Sequence, residues 1–258
     1  MIERALPVSG VRLRVRELTG ADQLIVLHPR TTAPETLLVL LRAVATDGAG
    51  SEVGWEQLPA VDLAAAALAL RGAWLGDRIH TDTVCPADGC SELIDVSFFV
   101  PDYLEHHGPR RFRGLERRPD GWLTFAGEPV QFRIPLIEDL VVAEREQRGE
   151  AWLRERCVRP GGAPAAMRRR IDRALSAVAP RLDDHVTGRC PACGRVVELF
   201  FSPVDYVVSE LRDVSSELYA DVHELALAYH WSEQSILALE RRRRQSYVAL
   251  VRGEAVLA

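Results

Sequence analysis

A short cysteine-bearing stretch occurs twice in this chain, and the repeat constrains the fold more than any other feature. The first copy runs Cys85-Pro86-Ala87-Asp88-Gly89-Cys90 and the second Cys190-Pro191-Ala192-Cys193-Gly194. Each pair of cysteines encloses a tight turn, and Pro and Gly supply the backbone angles that such turns need. The likeness continues downstream. Leu93-Ile94-Asp95-Val96 answers to Val196-Val197-Glu198-Leu199, Phe98 to Phe201, and Asp102-Tyr103-Leu104 to Asp205-Tyr206-Val207. With a single two-residue gap inside the turn the copies align, so the chain reads as an internal duplication of one unit. The unit is a cysteine knuckle followed by a strand and an Asp-Tyr corner. Strands over residues 78–84 and 92–100 are expected to pair as a hairpin with the cysteines at its tip, and the second unit occupies about 183–207. The recurring Asp is expected to close a structural turn by an Asx-type hydrogen bond.

A structural zinc site takes four thiolate or imidazole ligands in a tetrahedron. Cys190 and Cys193 have the two-residue spacing that lets both sulfurs reach one ion, and the four-residue spacing of Cys85 and Cys90 also lies within the range of such pairs. One pair is half a site. Cys85, Cys90, Cys190 and Cys193 complete one four-sulfur site if the hairpins face each other across a pseudo-twofold axis, which makes structural zinc the expected cofactor. The pairs lie roughly a hundred residues apart, far beyond the separation in a familiar zinc ribbon. Two other readings stand beside this one. His80 and His185 each precede the first cysteine of their unit by five positions, but on a regular strand that spacing points them to the opposite face. The knuckles could also be reduced, metal-free turns. If an ion is held by four protein ligands it is structural, because no coordination position stays open for a substrate. The fifth cysteine, Cys157, reads as a half-buried helix thiol.

Composition narrows the class. Of 258 residues 27% are charged and 47% hydrophobic, which places the chain among soluble globular proteins. A net charge of -5 gives no overall basic field for nucleic acid or an anionic membrane. All 32 basic residues are Arg, with no Lys and no Asn, a skew that reflects GC-rich coding more than selected binding patches. The N-terminus lacks the layout of a secretory signal and no apolar run is long enough to span a bilayer, so a cytoplasmic location is expected. There, five cysteines do not read as a disulfide framework. No phosphate loop, nucleophile elbow or paired-histidine metal motif is present, so the chain is expected to be no enzyme and to take no small-molecule substrate.

The remaining segments supply helices and one insertion. Val11-Arg12-Leu13-Arg14-Val15-Arg16 alternates as a half-buried strand, and residues 24–27 read as a second short strand. Thr32-Ala33-Pro34-Glu35 is a capping box with Pro in the first turn. It opens a helix through Leu37, Leu38, Leu41 and Val44 that stops at Asp47-Gly48. Pro59 starts an alanine-rich helix to Leu75, closed by Gly76 and flanked by Trp55 and Trp74 as packing anchors. Residues 122–125 and 130–134 form an inserted hairpin joined by Gly127-Glu128, preceded by His106 and His107 in an exposed loop. Pro135 starts a helix continuing past Gly149 to Val158, residues 160–164 are a linker, and a helix over 165–179 buries Met167, Ile171, Leu175 and Val178. Leu218, Val222, Leu225 and Tyr229 mark the next helix, and Ser232 caps another. Arg241-Arg242-Arg243-Arg244 reads as a solvated or partner-docking surface. The expected fold is α+β: two duplicated zinc-ribbon-like hairpin units with packed helices and an inserted β-hairpin. Its segments are 1–108, 109–164 and 165–258, within one compact pseudo-repeat domain.

The C-terminal stretch from Asp221-Val222-His223-Glu224-Leu225 through Tyr229-His230-Trp231-Ser232 to Ile236-Leu237-Ala238-Leu239, followed by Arg242-Arg243 and Tyr247, resembles the C-terminal signature of a baseplate assembly family. Members occur with contractile phage tails and the extracellular contractile injection systems derived from them, and are related to a baseplate hub assembly protein of T-even phages. A Cys-Pro-x-x-Cys strand unit after an Ala/Leu-rich helix, and the Phe132-Arg133-Ile134-Pro135 and Asp139-Leu140 stretch, extend the likeness from about residue 55 onward. The first knuckle departs from the pattern by having four residues between its cysteines. The resemblance implies a non-enzymatic chaperone or minor component, with baseplate, hub or spike proteins of a contractile tail-like particle as partners. Trp231, Arg242, Arg243 and Tyr247 are the candidate contact residues, since aromatics and Arg are enriched in interface hot spots. The alternative from another class is a zinc-ribbon nucleic-acid-binding regulator.

Overall fold

The structure, a computed structural model, describes residues 2–27 and 32–254. It is a mixture of helix and sheet. Strands β1 (Ile2–Ala5), β2 (Arg12–Val15) and β3 (Ala45–Asp47) form an antiparallel sheet in the order β1-β2-β3. The alternation of β2 is realised: Leu13 and Val15 are buried, while Arg12 and Arg14 flank Glu3 on the outer side. The strand expected over 24–27 is instead the end of helix α1 (Gly20–Leu27). The Thr19 N–H donates to the Asp22 carboxylate at 2.9 Å and the Asp22 N–H to Thr19 Oγ1 at 3.4 Å, a reciprocal cap that commits the apolar run to a helix. Helix α2 (Ala33–Val44) has the expected capping box, but it stops at Val44, because the next three residues leave as β3.

Helix α3 (Ala60–Leu75) is apolar on nearly every side and is accordingly enclosed on nearly every side. Leu63, Leu68 and Leu70 lie in the main core, each contributing about 2 kcal/mol of burial. Trp55 and Trp74 are buried as expected, and Trp74 Nε1–H donates to the Arg16 carbonyl at 2.9 Å. Gly76, at φ 87°, ends the helix where a side chain would be strained.

The first hairpin is β4 (Arg78–Val84) with β5 (Leu93–Phe99), followed at once by α4 (Val100–His106). Within the insertion, the expected hairpin is the middle of a four-stranded sheet: β6 (Leu115–Arg117), β7 (Leu123–Phe125), β8 (Gln131–Phe132) and β9 (Val158–Arg159), in that order. The expected single helix after Pro135 is two. Helix α5 (Ile137–Arg145) ends where Gln147 takes φ 52° and the Arg148 N–H turns back to the Ala143 carbonyl at 2.7 Å. Helix α6 (Glu150–Cys157) restarts after Gly149. Helix α7 (Ala165–Val178) buries Ile171 and Ala174 against Leu123, Phe125 and Phe132, making a second core.

The second hairpin is β10 (Asp184–Arg189) with β11 (Val196–Phe201), again followed by a helix, α8 (Pro203–Ser215). Neither Asp-Tyr corner is an Asx turn. Asp102 and Asp205 stand in the first turns of α4 and α8, where a carboxylate suits the positive end of the helix. The chain ends in α9 (Leu218–Tyr229), α10 (Glu233–Leu237) and α11 (Arg241–Arg252), with Leu225, Ile236 and Val248 as their shared core. His230 at φ 55° closes α9, and Ser232 caps α10 as expected. Among the described residues no helix is long and apolar enough to cross a membrane.

Candidate metal centre

Each knuckle is held by backbone bonds that bring its two thiols to the same side. In the first, the Cys85 N–H donates to the Glu92 carbonyl at 2.8 Å and the Cys90 N–H to Ala87 at 3.0 Å. In the second, the Cys190 N–H donates to Arg195 and the Gly194 N–H to Cys190, both at 2.9 Å. Gly194 has φ 72°, the left-handed region that lets so short a turn close.

The two knuckles meet. The Sγ atoms of Cys85, Cys90, Cys190 and Cys193 all lie within 4.8 Å of one another. The short contacts run crosswise, Cys85 to Cys193 and Cys90 to Cys190, both at 3.7 Å. Each therefore joins the first cysteine of one unit to the second cysteine of the other, the pattern that a pseudo-twofold relation between the hairpins produces. A tetrahedron with metal–sulfur bonds of about 2.3 Å has sulfurs about 3.8 Å apart. A disulfide needs about 2.05 Å. The spacing thus fits four thiolates around one ion. Four sulfur donors suit a thiophilic metal. Cys85 and Cys190 are buried, with Val197, Ala87 and Ile94 packed around the sulfurs, while Cys193 is exposed.

Without an ion the thiols sit unequally. The Cys193 backbone N–H, aimed at the Cys190 sulfur, is the chief cause of that thiol being lowered to about 7. Cys90 is pushed up to about 12: the Glu92 N–H draws it down, but desolvation and the three neighbouring thiols outweigh it. One proton is thus readily lost and another held hard, so metal entry must displace protons.

The hairpins are also joined at their bases. Phe98 and Phe201, the counterparts in the two units, meet edge to face at 5.1 Å. Tyr103 Oη–H donates to the Leu182 carbonyl at 2.5 Å, and Tyr206 Oη–H to the His80 carbonyl at 3.0 Å, so each unit's tyrosine reaches the other unit. Desolvation, with Asp184 and Asp183 nearby, raises the Tyr103 hydroxyl pKa. His107 lies against Tyr103 rather than in an open loop, its Nδ1 2.9 Å from the Tyr103 carbonyl.

Neither His80 nor His185 joins the cysteines. His80 is on the outer face of its hairpin, 4.0 Å from Asp95, and His185 packs on Phe200. Cys157 stands apart and is fully rather than half buried, its thiol pushed up to about 11 by desolvation.

Trp231, Arg243 and Tyr247 lie together at one end of the C-terminal helices, and Arg242 is exposed beside Arg243 in the chain. Trp231 stacks on Tyr229 at 4.9 Å and meets Tyr247 edge-on at 5.0 Å, both rings half-buried, and the Arg243 guanidinium stands 5.9 Å from the Tyr247 ring. The arginine run is not uniformly solvated, however. Arg244 is 1% exposed, bonded to Asp221 at 3.1 Å and to Gln23, whose amide donates to Ser215 Oγ at 3.0 Å. This network pins α9 and α11 to α1 and α8. Its only sequence signal is the helical spacing that puts Arg244 on the apolar face, four residues before Val248.

The chain matches no family model, no curated protein and no solved structure.

Proposed function

We propose that the chain is a non-enzymatic assembly protein of a contractile tail-like baseplate, built as two zinc-ribbon-like copies of one unit stapled by a single zinc ion. The observation that carries the metal reading is the crosswise set of four sulfurs, at tetrahedral spacing, contributed equally by the two hairpins. Zinc is the ion assigned because it favours tetrahedral thiolate sites and needs no redox partner. With every position filled by protein, its role is to fix the hairpins, not to activate a substrate. The assembly reading rests on the C-terminal resemblance. The half-exposed cluster of Trp231, Tyr229 and Tyr247, with Arg243 beside it and Arg242 exposed next in the chain, offers the aromatic and Arg groups that anchor protein interfaces. The partners are then baseplate, hub or spike proteins.

The nucleic-acid regulator gains less support. Asp82, Asp88, Glu92 and Asp95 surround the first knuckle, where a zinc-ribbon reader would need a contiguous basic surface.

Two measurements test these parts separately. Metal content with native mass should give one zinc per chain, and removing it with a chelator should lower the thermal midpoint sharply. No bound metal and no chelator effect would reduce the knuckles to turns. Pull-down of hub and spike proteins should succeed with the native chain and fail with Trp231→Ala/Tyr247→Ala. Equal capture by both would remove the contact surface.

A further inference from the structure

Charge is segregated along this chain. Residues 109–181 hold 16 of the 32 arginines but only 10 of the 37 acidic residues, a net +6, and the rest of the chain carries -11. Between Arg78 and Arg110 there is no Arg or Lys, but there are Asp82, Asp88, Glu92, Asp95, Asp102 and Glu105.

The acidic segment presents the outer face of the first hairpin. Its register sets Asp82 opposite Asp95 and, one pair nearer the tip, Val84 opposite Leu93. Val84 is 56% and Leu93 58% exposed. Like charges directly opposite destabilise a hairpin; the cations on this face are His80, 4.0 Å from Asp95, and Arg78, whose guanidinium donates to Ser97 Oγ at 3.5 Å. An apolar pair among four carboxylates is thus left on an unpartnered sheet face.

The basic segment presents the outer face of α7. With Ile171 and Ala174 turned into the second core, Arg168, Arg169 and Arg173 point outward, and a shallow depression opens among Ala166, Arg169, Asp172 and Arg173. The preceding loop lies alongside: the Arg110 N–H donates to the Ala177 carbonyl at 2.6 Å, and Arg111 and Arg113 are exposed next to it. Among the described residues these exposed guanidiniums have no carboxylate partner, whereas Arg170, half-buried over Phe125, is paired with Glu128.

We propose that the outer face of the first hairpin in one copy of the chain docks on α7 and the adjoining arginine loop of a second copy. Val84 and Leu93 fill the depression, and the carboxylates meet guanidiniums whose planar fork suits them. The Asp82–Asp95 repulsion is relieved in the same contact. A polyanion such as nucleic acid would answer only the arginine face and would leave that repulsion in place. The two faces are different parts of the chain, so the contact is heterologous, and a bound pair still offers one free face of each kind. The proposal does not depend on the assembly role.

The test is sedimentation of the full, metal-replete chain across salt concentrations, with two charge-reversed variants, Asp82→Arg/Asp95→Arg and Arg169→Glu/Arg173→Glu. Self-association is expected to weaken at least about tenfold as salt rises from about 0.05 to about 0.5 M, and to vanish in either variant alone. Mixing the two variants brings opposite charges together again at both contacts, native hairpin on native α7 and reversed hairpin on reversed α7, so association returns with the two variants alternating. The milder Asp82→Asn/Asp95→Asn and Arg169→Gln/Arg173→Gln forms, checked for native circular dichroism, should weaken association in the same direction. A monomer under all conditions, association indifferent to both reversals, or a mixture that stays monomeric would overturn the proposal. So would monomeric native chain retaining a DNA duplex that Arg169→Glu/Arg173→Glu releases, which would assign the arginines to phosphate.

Discussion

Asp139 is buried completely and satisfied completely. Arg133 donates to both of its oxygens at 2.5 and 2.9 Å, Arg156 at 2.5 Å, and the Leu136 N–H at 2.9 Å. Burial alone would raise its pKa, but those donors outweigh it and hold the carboxyl below the usual range. A carboxyl lowered in the folded state adds stability above its unfolded value and loses that contribution as pH falls through the folded one. Asp139→Asn should therefore cost about 3 kcal/mol at neutral pH and flatten the loss of stability below about pH 4, in urea titrations at both ends of that range. Arg244 is as deeply buried, with two of its guanidinium nitrogens bonded and Nη1 left without a partner. Arg244→Met leaves Asp221 and Gln23 without their buried donor, and denaturant titration should show a loss of about 3 kcal/mol. Gly20 is part of that packing, since a Cβ there would come 3.0 Å from Arg244 Nη1 and from Leu237.

At the scale of elements, the hairpins depend on tyrosines that cross between units. Tyr103→Phe, which leaves the Leu182 carbonyl without its donor in a buried site, should cost about 1 kcal/mol in thermal unfolding, and Tyr206→Phe, on the exposed side, less. These hairpins, α2, α3 and the C-terminal helices were legible because each announces itself locally, through a knuckle, a capping box, an alanine-rich run or a helical period. What was not legible depends on distant partners. β6 and β9 span only three and two residues and exist because β7 and β8 pair with them, β8 from some 26 residues upstream of β9. α1 was misread because 24–27 is apolar and short, and the decisive Thr19–Asp22 cap lies outside that window. Arg244 looked like a member of a surface run, and only the packing of α9 and α11 against α1 shows it to be interior. The four metal-ligand candidates could be named from spacing, but which sulfur stands beside which could not.

For the whole molecule, the four sulfurs tie to each other the tips of two hairpins that pair mostly within themselves, apart from a main core shared by both halves of the chain. Metal removal should thus loosen the hairpins before the α3 core. Hydrogen exchange after chelation should quicken in β4, β5, β10 and β11 while α3 stays protected; equal quickening throughout would mean one cooperative unit. Acidification should release the ion for the same reason that it enters as protons leave.

The crosswise sulfur contacts span 108 and 100 residues of chain. During synthesis the first knuckle is therefore finished long before its partner exists, and on its own it offers two thiols, a weak grip on any ion. The full set can close only once the second knuckle has left the ribosome, at the cost of closing a loop that long. Tight metal capture then acts as a record of completion. A chain cut short after residue 180 should emerge with Cys85 and Cys90 intact, yet hold no ion through gel filtration, while the full chain keeps it.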